Sequence, residues 1–248
     1  MKNVRILLIL TLCLAMINMK AQMLAKGVSK ELADQRKANI SNIVYELSFD
    51  IPANPYEPVR GKAVITFDLK AQQDVVLDFQ GLFDGSCNVY AENKMGKMKW
   101  MPMEAVYQNE HIILPMQSMK EGTNKVELEF FASDKALNRN EDYMYSLFVP
   151  DLARSAFPCF DQPDLRAVFV TSLKVPKGWK TITSDNICQL PTYLYSFVAG
   201  KFNEKTAVRE GRPMRILYRE TNPDKVAQLD QIFDEAAQSL KWMEGALG

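Results

Sequence analysis

Histidine, the side chain best suited to binding zinc and to moving protons near neutral pH, occurs only once in this chain, as His111. Glu110 precedes it, but Ile-Ile-Leu-Pro follows, so the His-Glu-x-x-His spacing of a helical zinc site is missing. Cys87, Cys159 and Cys188 show no Cys-x-x-Cys spacing. We therefore predict no metal ligand and no catalytic residue among these 248 residues, and interpret His111 as the start of a short strand.

The most informative segment is residues 153–169, which we call the signature segment. Its sequence, ARSAFPCFDQPDLRAVF, combines turn-forming residues and aromatics too densely for a simple strand or helix. Pro158 and Pro163 each fix a backbone φ angle, and Asp161 can accept hydrogen bonds from nearby amides. We predict a rigid structural corner here.

The signature segment resembles a motif in the N-terminal domain of zinc aminopeptidases of the aminopeptidase N type. Two further segments resemble the same family in the same order, namely Lys174-Val-Pro-Lys-Gly-Trp179 and Pro191-Thr-Tyr-Leu-Tyr-Ser-Phe-Val-Ala-Gly200. The resemblance covers nearly all of the chain after its first 21 residues. It implies a mostly β domain that closes one side of a substrate cleft, while zinc in a separate catalytic domain activates water.

The resemblance also suggests which residues form the site. The structural signature would comprise Arg154, Phe157, Pro158, Asp161 and Pro163. In the family, a Gln or Glu just before this motif holds the free amino end of the substrate. The matching position here is Val149, with Leu147 two residues earlier, and neither can accept a hydrogen bond from an ammonium group. The remaining expectation is that Leu147 and Val149 line a pocket for an apolar substrate side chain.

A second departure from the family lies between Asn186 and Pro191. The family places about a hairpin of chain there, whereas only four residues join these two positions here. We expect this short connection to leave a sheet edge exposed.

The elements around the signature segment follow a two-residue period. Apolar residues alternate with polar ones in five stretches, numbered 43–51, 63–69, 75–79, 126–130 and 169–175. Asn93-Lys-Met-Gly96 is typical of a hairpin tip, and residues 133–142 are predicted as a polar loop. The sequence therefore predicts a mostly β fold, an antiparallel β-sandwich or saddle-like domain, preceded by a helix-compatible stretch at 26–39.

The pattern changes at Asn222, which can cap a helix that has Pro223 at its first position. Apolar residues then recur every three or four positions, at Val226, Leu229, Ile232, Phe233, Ala236, Leu240 and Met243. We predict one amphipathic C-terminal helix that starts a truncated catalytic domain, with self-association of the chain through its apolar stripe.

The first 21 residues resemble a secretory signal peptide. Lys2 and Arg5 provide the positive start, residues 6–17 the apolar run, and Ala21 a small residue before a cleavage site. The run is too short to span a bilayer of ~30 Å. We therefore predict export to the periplasm or the extracellular space. The exported chain keeps three cysteines, so a disulfide scaffold is not predicted.

Together these patterns predict a signal peptide at 1–21, a β-rich aminopeptidase N-terminal domain at 22–220 and a first catalytic-domain helix at 221–248. We expect a non-catalytic domain of a secreted zinc-dependent aminopeptidase, which would meet peptide substrates only together with a catalytic domain. The balance of 30 basic and 30 acidic residues argues against nucleic-acid partners. The alternatives are a secreted, non-enzymatic β-sandwich that binds a partner, or an inactive truncated gene product.

Overall fold

The computed structural model describes residues 24–93, 95–184 and 188–247. The predicted signal peptide therefore lies outside the described residues, as do Lys94 at the predicted hairpin tip and Asn186 and Ile187 of the short connection. The described part of the chain holds no helix long and apolar enough to span a bilayer.

The described chain is built mainly from strands, with helices near its two ends. In chain order the elements are α1 (Lys30–Asn39), β1 (Ile40–Asp50), β2 (Val59–Leu69), β3 (Val75–Asp78), β4 (Cys87–Glu92), β5 (Met98–Pro102), β6 (Val106–Gln108), β7 (His111–Leu114), β8 (Gly122–Ala132), β9 (Leu137–Arg139), β10 (Tyr143–Ser146), α2 (Ala153–Ala156), β11 (Ala167–Lys174), β12 (Lys180–Thr183), β13 (Phe197–Gly200), β14 (Asn203–Arg209), β15 (Arg212–Tyr218), α3 (Pro223–Ala227) and α4 (Leu229–Leu247). The mostly β fold with a C-terminal helix is as predicted.

The described chain divides into two compact units, one formed by residues 24–93, 95–176, 182–184 and 188–198, the other by residues 177–181 and 199–247. The predicted boundary at residue 220 remains a prediction about which part folds alone. In the first unit the largest sheet has the strand order β11-β1-β2-β8-β4-β5. A three-stranded sheet, β3-β7-β6, lies in the same unit, where β9 also pairs with β10.

The alternating pattern of β1 and β2 buries one face of the six-stranded sheet, as the two-residue period requires. One pair departs from the antiparallel rule, because β11 runs parallel to β1, with Ile43 opposite Ala167 and Asp50 opposite Lys174. Parallel neighbours need a long crossover, and here more than 100 residues separate the two strands. Local periodicity carries no information about such a pairing.

Several local predictions can be compared with the structure directly. The helix-compatible stretch forms α1, and His111 begins β7 as predicted. The predicted loop 133–142 contains the short strand β9, paired with β10, so the loop interpretation was wrong for residues 137–139. Because β9 has only three residues, it is too short to show a two-residue period.

The second unit contains the β14–β15 hairpin with α3 and α4. The Asn222 side chain accepts a hydrogen bond from Asp224 N at 2.9 Å, which confirms the predicted helix cap. Of the predicted apolar stripe, α4 buries Leu229 and Phe233, while Ile232, Leu240 and Met243 stay partly exposed. Helix and hairpin are also joined by the ion pairs Lys205–Asp230 (2.7 Å) and Arg212–Glu244 (2.6 Å).

Candidate functional site

The signature segment folds as a corner against the buried face of the six-stranded sheet. It opens with the single helical turn α2, which the sequence did not predict, and continues as irregular chain through Asp164. Phe157 is fully buried, and its ring contacts those of Tyr45 and Phe49 on β1 and of Phe169 on β11. The corner is therefore part of the domain core.

Backbone pairing ties the corner to the end of β3. Asp78 N donates to Cys159 O at 2.7 Å, and Cys159 N donates to Asp78 O at 3.1 Å. Phe160 N donates to the buried Tyr45 hydroxyl oxygen at 2.9 Å. Burial raises the pKa of the Tyr45 hydroxyl and of the Cys159 thiol well above their usual values. Both groups therefore stay neutral at physiological pH, and Cys159 acts as a small apolar side chain.

The Asp78 carboxylate is the centre of a buried ionic cluster that the sequence did not predict. Its two oxygens accept hydrogen bonds from Arg36 Nη2 at 2.7 Å and Arg36 Nη1 at 2.8 Å. The Asp161 backbone N–H donates to Asp78 Oδ2 at 2.8 Å, and His111 Nδ1 lies 3.0 Å from Asp78 Oδ1. The side chains of Arg36, Asp78 and His111 are all at most 2% exposed.

Charge compensation explains how a fully buried carboxylate can stay ionised. Burial by itself would raise the pKa of Asp78, but the positive charge of Arg36, together with His111 and the Asp161 backbone N–H, lowers it to about 2. The Asp78 carboxyl is therefore ionised at neutral pH. It links α1, β3, β7 and the signature segment through one side chain.

For Asp161, the effect of burial on the pKa outweighs the effect of its hydrogen bonds. Burial raises its pKa above the usual value, although Thr192 Oγ1 donates to Asp161 Oδ1 at 2.6 Å and Arg154 N donates to Oδ2 at 3.1 Å. Both contacts are internal to the domain. One donor is a backbone amide and the other a hydroxyl, and Asp161 is only 6% exposed, while its predicted structural role stays a prediction.

The other predicted signature residues differ in burial and in their contacts. Arg154 forms an ion pair with Asp151, with 2.6 Å between Nη2 and Oδ2. Pro158 is buried and Pro163 is exposed. Leu147 and Val149 are 52% and 51% exposed, on the segment that leads from β10 into the corner. Their predicted role in lining a substrate pocket stays a prediction.

The short connection after β12 can be followed from Cys188 onwards. Leu190 pairs with Ala167 at the start of β11, through Ala167 N to Leu190 O and Leu190 N to Ala167 O, both 2.9 Å. The edge of β11 is therefore covered at this one position. The three thiols of the described chain, Cys87, Cys159 and Cys188, are free.

Comparison with known proteins matches this architecture to one family. The sequence model of the Peptidase M1 N-terminal domain matches residues 41–206, which is more than half of the chain and includes the whole signature segment. The chain belongs to the peptidase M1 N-terminal domain family. The aminopeptidase N-type resemblance inferred from the sequence is thereby confirmed.

Individual M1 relatives agree with this assignment. Aminopeptidase N of Streptomyces lividans is 28% identical over 123 residues, or 42% of this chain and 14% of that protein. Endoplasmic reticulum aminopeptidase 1 of Mus musculus is 30% identical over 115 residues, or 39% of this chain and 12% of that protein. The chain thus matches only a small part of these relatives' length.

Solved M1 structures share the fold. The M1 zinc metallopeptidase of Deinococcus radiodurans superposes with a TM-score of 0.60 at 17% identity, covering 75% of this chain and 49% of that chain. A mutant of the same enzyme bound to a Tyr-Ser-Ala substrate gives a TM-score of 0.60 at 19% identity. At this identity the likeness establishes the fold alone.

The residues of this M1 N-terminal domain do not fit the zinc of the family. Across residues 24–93, 95–184 and 188–247, no three His, Cys, Asp or Glu side chains are grouped so as to hold a metal ion. His111 already faces Asp78 Oδ1 and the Ala25 carbonyl oxygen, each at 3.0 Å, within the buried cluster. No chemical step is therefore assigned to a metal bound by these residues.

Proposed function

We propose that this chain is the non-catalytic N-terminal domain of a secreted zinc-dependent aminopeptidase. Its role is to form one wall of the cleft in which peptides lose their N-terminal residues, while the metal ligands come from a catalytic domain. The observation that carries this proposal is the match of the M1 N-terminal domain across residues 41–206.

The chemistry of the described residues supports a role in forming the cleft wall rather than a role in catalysis. The ionised side chains of the Asp78 cluster are at most 2% exposed, so a substrate could not reach them without opening the core. By contrast, Leu147 and Val149 are half-exposed next to the rigid corner. An apolar pair on a rigid support suits contact with an apolar side chain of a peptide, because burying it excludes water from both surfaces.

A chimera provides the most direct test of the proposed wall. In it, this chain replaces the N-terminal domain of an M1 aminopeptidase, and hydrolysis of aminoacyl chromogenic substrates and bound zinc are measured. We expect the chain alone to bind no stoichiometric zinc and to be inactive. The chimera should be more active than the isolated catalytic region, because covalent linkage holds the wall beside the catalytic region at a high effective concentration.

Two matched variants then distinguish an effect on substrate contacts from an effect on folding. Leu147→Asp with Val149→Asp should raise KM for substrates with an apolar N-terminal residue, whereas Val170→Asp should not, although Val170 is also 42% exposed. Zinc bound by the chain alone with turnover, or a folded chimera no more active than the catalytic region, would contradict the proposal.

Sedimentation of both proteins tests self-association. We expect the chain alone to self-associate and the chimera not to, because the catalytic region covers α4.

Export is the part of the proposal that depends on residues 1–21. A positively charged start followed by a short apolar run is typical of a cleaved secretory signal. We expect the intact mass of the exported protein to correspond to a chain that begins near Gln22. A full-length product retained in the membrane would show instead that the run acts as an anchor.

A further inference from the structure

Residues 24–28, which we call the strap, lie against the two-residue turn that joins β6 and β7. Asn109 and Glu110 form this turn with φ angles of 52° and 64°, the left-handed conformation of a tight hairpin turn. The contacts to the strap are Asn109 Nδ2 to the Leu24 carbonyl oxygen (2.9 Å), His111 Nε2 to the Ala25 carbonyl oxygen (3.0 Å) and Lys26 Nζ to Glu110 Oε1 (3.2 Å).

The imidazole of His111 lies between two groups that can only accept hydrogen bonds. Nδ1 is 3.0 Å from Asp78 Oδ1, with its N–H turned away from the direct line, so the contact is mainly electrostatic. Nε2 is 3.0 Å from the Ala25 carbonyl oxygen. A neutral imidazole has one N–H and one lone pair, so it can satisfy only one of these acceptors. Both contacts are favourable together only in the doubly protonated ring.

We propose that His111 is a proton-sensitive clasp, which holds the strap while its ring carries both protons and releases the strap when the ring loses one. The proton leaves Nε2 for solvent, and Nδ1 keeps its proton beside the negative charge of Asp78. The lone pair of Nε2 then faces the carbonyl oxygen of Ala25, and the two repel each other. The contact that fixes the middle of the strap is lost, while the Asp78 cluster stays intact.

The charged groups around the ring favour the protonated state. Burial lowers the pKa of His111, but the close Asp78 carboxylate at Nδ1 and the Ala25 carbonyl oxygen at Nε2 raise it above 6.5 overall, against the opposing charge of Arg36. The remaining charged neighbours on the elements packed here are Glu110 on the turn, Lys26 on the strap, and Arg154 and Asp161 on the signature segment.

The direction of the pH effect follows from this raised pKa. A histidine whose pKa is higher in the folded state stabilises it fully below the unfolded value of 6.5. That contribution disappears as the pH rises through the folded value. The strap should therefore be docked below pH 6.5 and released as the pH rises through the raised pKa of His111.

The test uses the chain's only histidine, so one imidazole signal can be followed without assignment ambiguity. The ring ¹⁵N shifts and the amide shifts of Ala25, Lys26 and Gly27 are recorded by NMR across a pH series. We expect both ring nitrogens to be protonated at low pH, the Nδ1–H tautomer at high pH, and one midpoint above 6.5 shared by ring and strap. A midpoint at or below 6.5, or strap signals that do not follow the ring, would overturn the proposal.

A truncated chain that begins at Val28 provides the second measurement, because it removes the Ala25 carbonyl but keeps the Ser29 cap of α1. The His111 midpoint should fall relative to the full chain. The matched control is Lys26→Ala, which removes the ion pair with Glu110 and leaves the Ala25 carbonyl in place. Its midpoint should stay above 6.5, and an unchanged midpoint in the truncated chain would show that the strap is not coupled to the ring.

Discussion

Replacing Arg36 by leucine should lower the free energy of unfolding at neutral pH by about 3–5 kcal/mol, among the largest losses expected from one substitution in this domain. Arg36 supplies two of the hydrogen bonds to Asp78 and a third to the Val76 carbonyl oxygen at 2.8 Å. Leucine keeps much of the apolar contact of the side chain but leaves the Asp78 carboxylate buried without the guanidinium charge that compensates it. Urea denaturation followed by circular dichroism measures the loss.

Two comparisons make this expectation specific to the buried charge. Arg60→Leu removes an ion pair with Glu129 that is open to solvent on both sides and should change the unfolding midpoint little. The destabilisation by Arg36→Leu should also shrink in acid, because without Arg36 burial raises the pKa of Asp78 and the carboxyl becomes neutral more readily. Equal effects of the two substitutions would show that the buried pair does not stabilise the domain.

Replacing Phe157 by alanine should cost about 3–5 kcal/mol of unfolding free energy, because it leaves a cavity at the centre of the aromatic core. The Phe157 ring is 0% exposed. Its ring centroid lies within 6.5 Å of five others, those of Tyr45 (5.9 Å), Phe49 (6.5 Å), Phe148 (5.7 Å), Phe169 (6.4 Å) and Tyr195 (6.0 Å). Thermal unfolding followed by circular dichroism gives the change.

Phe157→Leu is the matched variant, since it preserves most of the volume and removes only the ring. It should cost clearly less than Phe157→Ala. This order of stability is expected if the signature segment acts as a structural corner. An unchanged transition in Phe157→Ala would instead place the ring outside the packed core.

Local chemistry determined much of the fold. The alternating stretches became β1, β2, β3, β8 and β11, because a strand exposes successive side chains on opposite faces and only one face of the sheet is buried. The Asn222 cap also formed as predicted, because its donor, Asp224 N, is only two residues away. Such features depend on residues that are close along the chain, so they can be predicted from the sequence.

The signature segment could also be recognised from the sequence, but the buried ionic cluster around Asp78 could not. Residues 153–169 pointed to the M1 N-terminal domain, yet Arg36 and Asp78 gave no comparable signal. One pattern connects Arg36 to the core, because it lies four residues after Leu32 and therefore on the same face of α1. The sequence cannot show which carboxylate meets it, since 42 residues separate Arg36 from Asp78 and 126 separate it from Gln162.

By itself, therefore, the sequence determined the family, the alternating strands, the helix cap and the lack of a second histidine for a zinc site. The tertiary structure decided that α4 buries only part of its stripe, that β11 runs parallel to β1, and that His111 faces Asp78 on one side and the Ala25 carbonyl on the other. The reason is physical: periodicity and caps arise from interactions a few residues apart. Burial of charge and the state of a histidine depend on groups brought together across 33 residues, between Asp78 and His111, or 86, between Ala25 and His111.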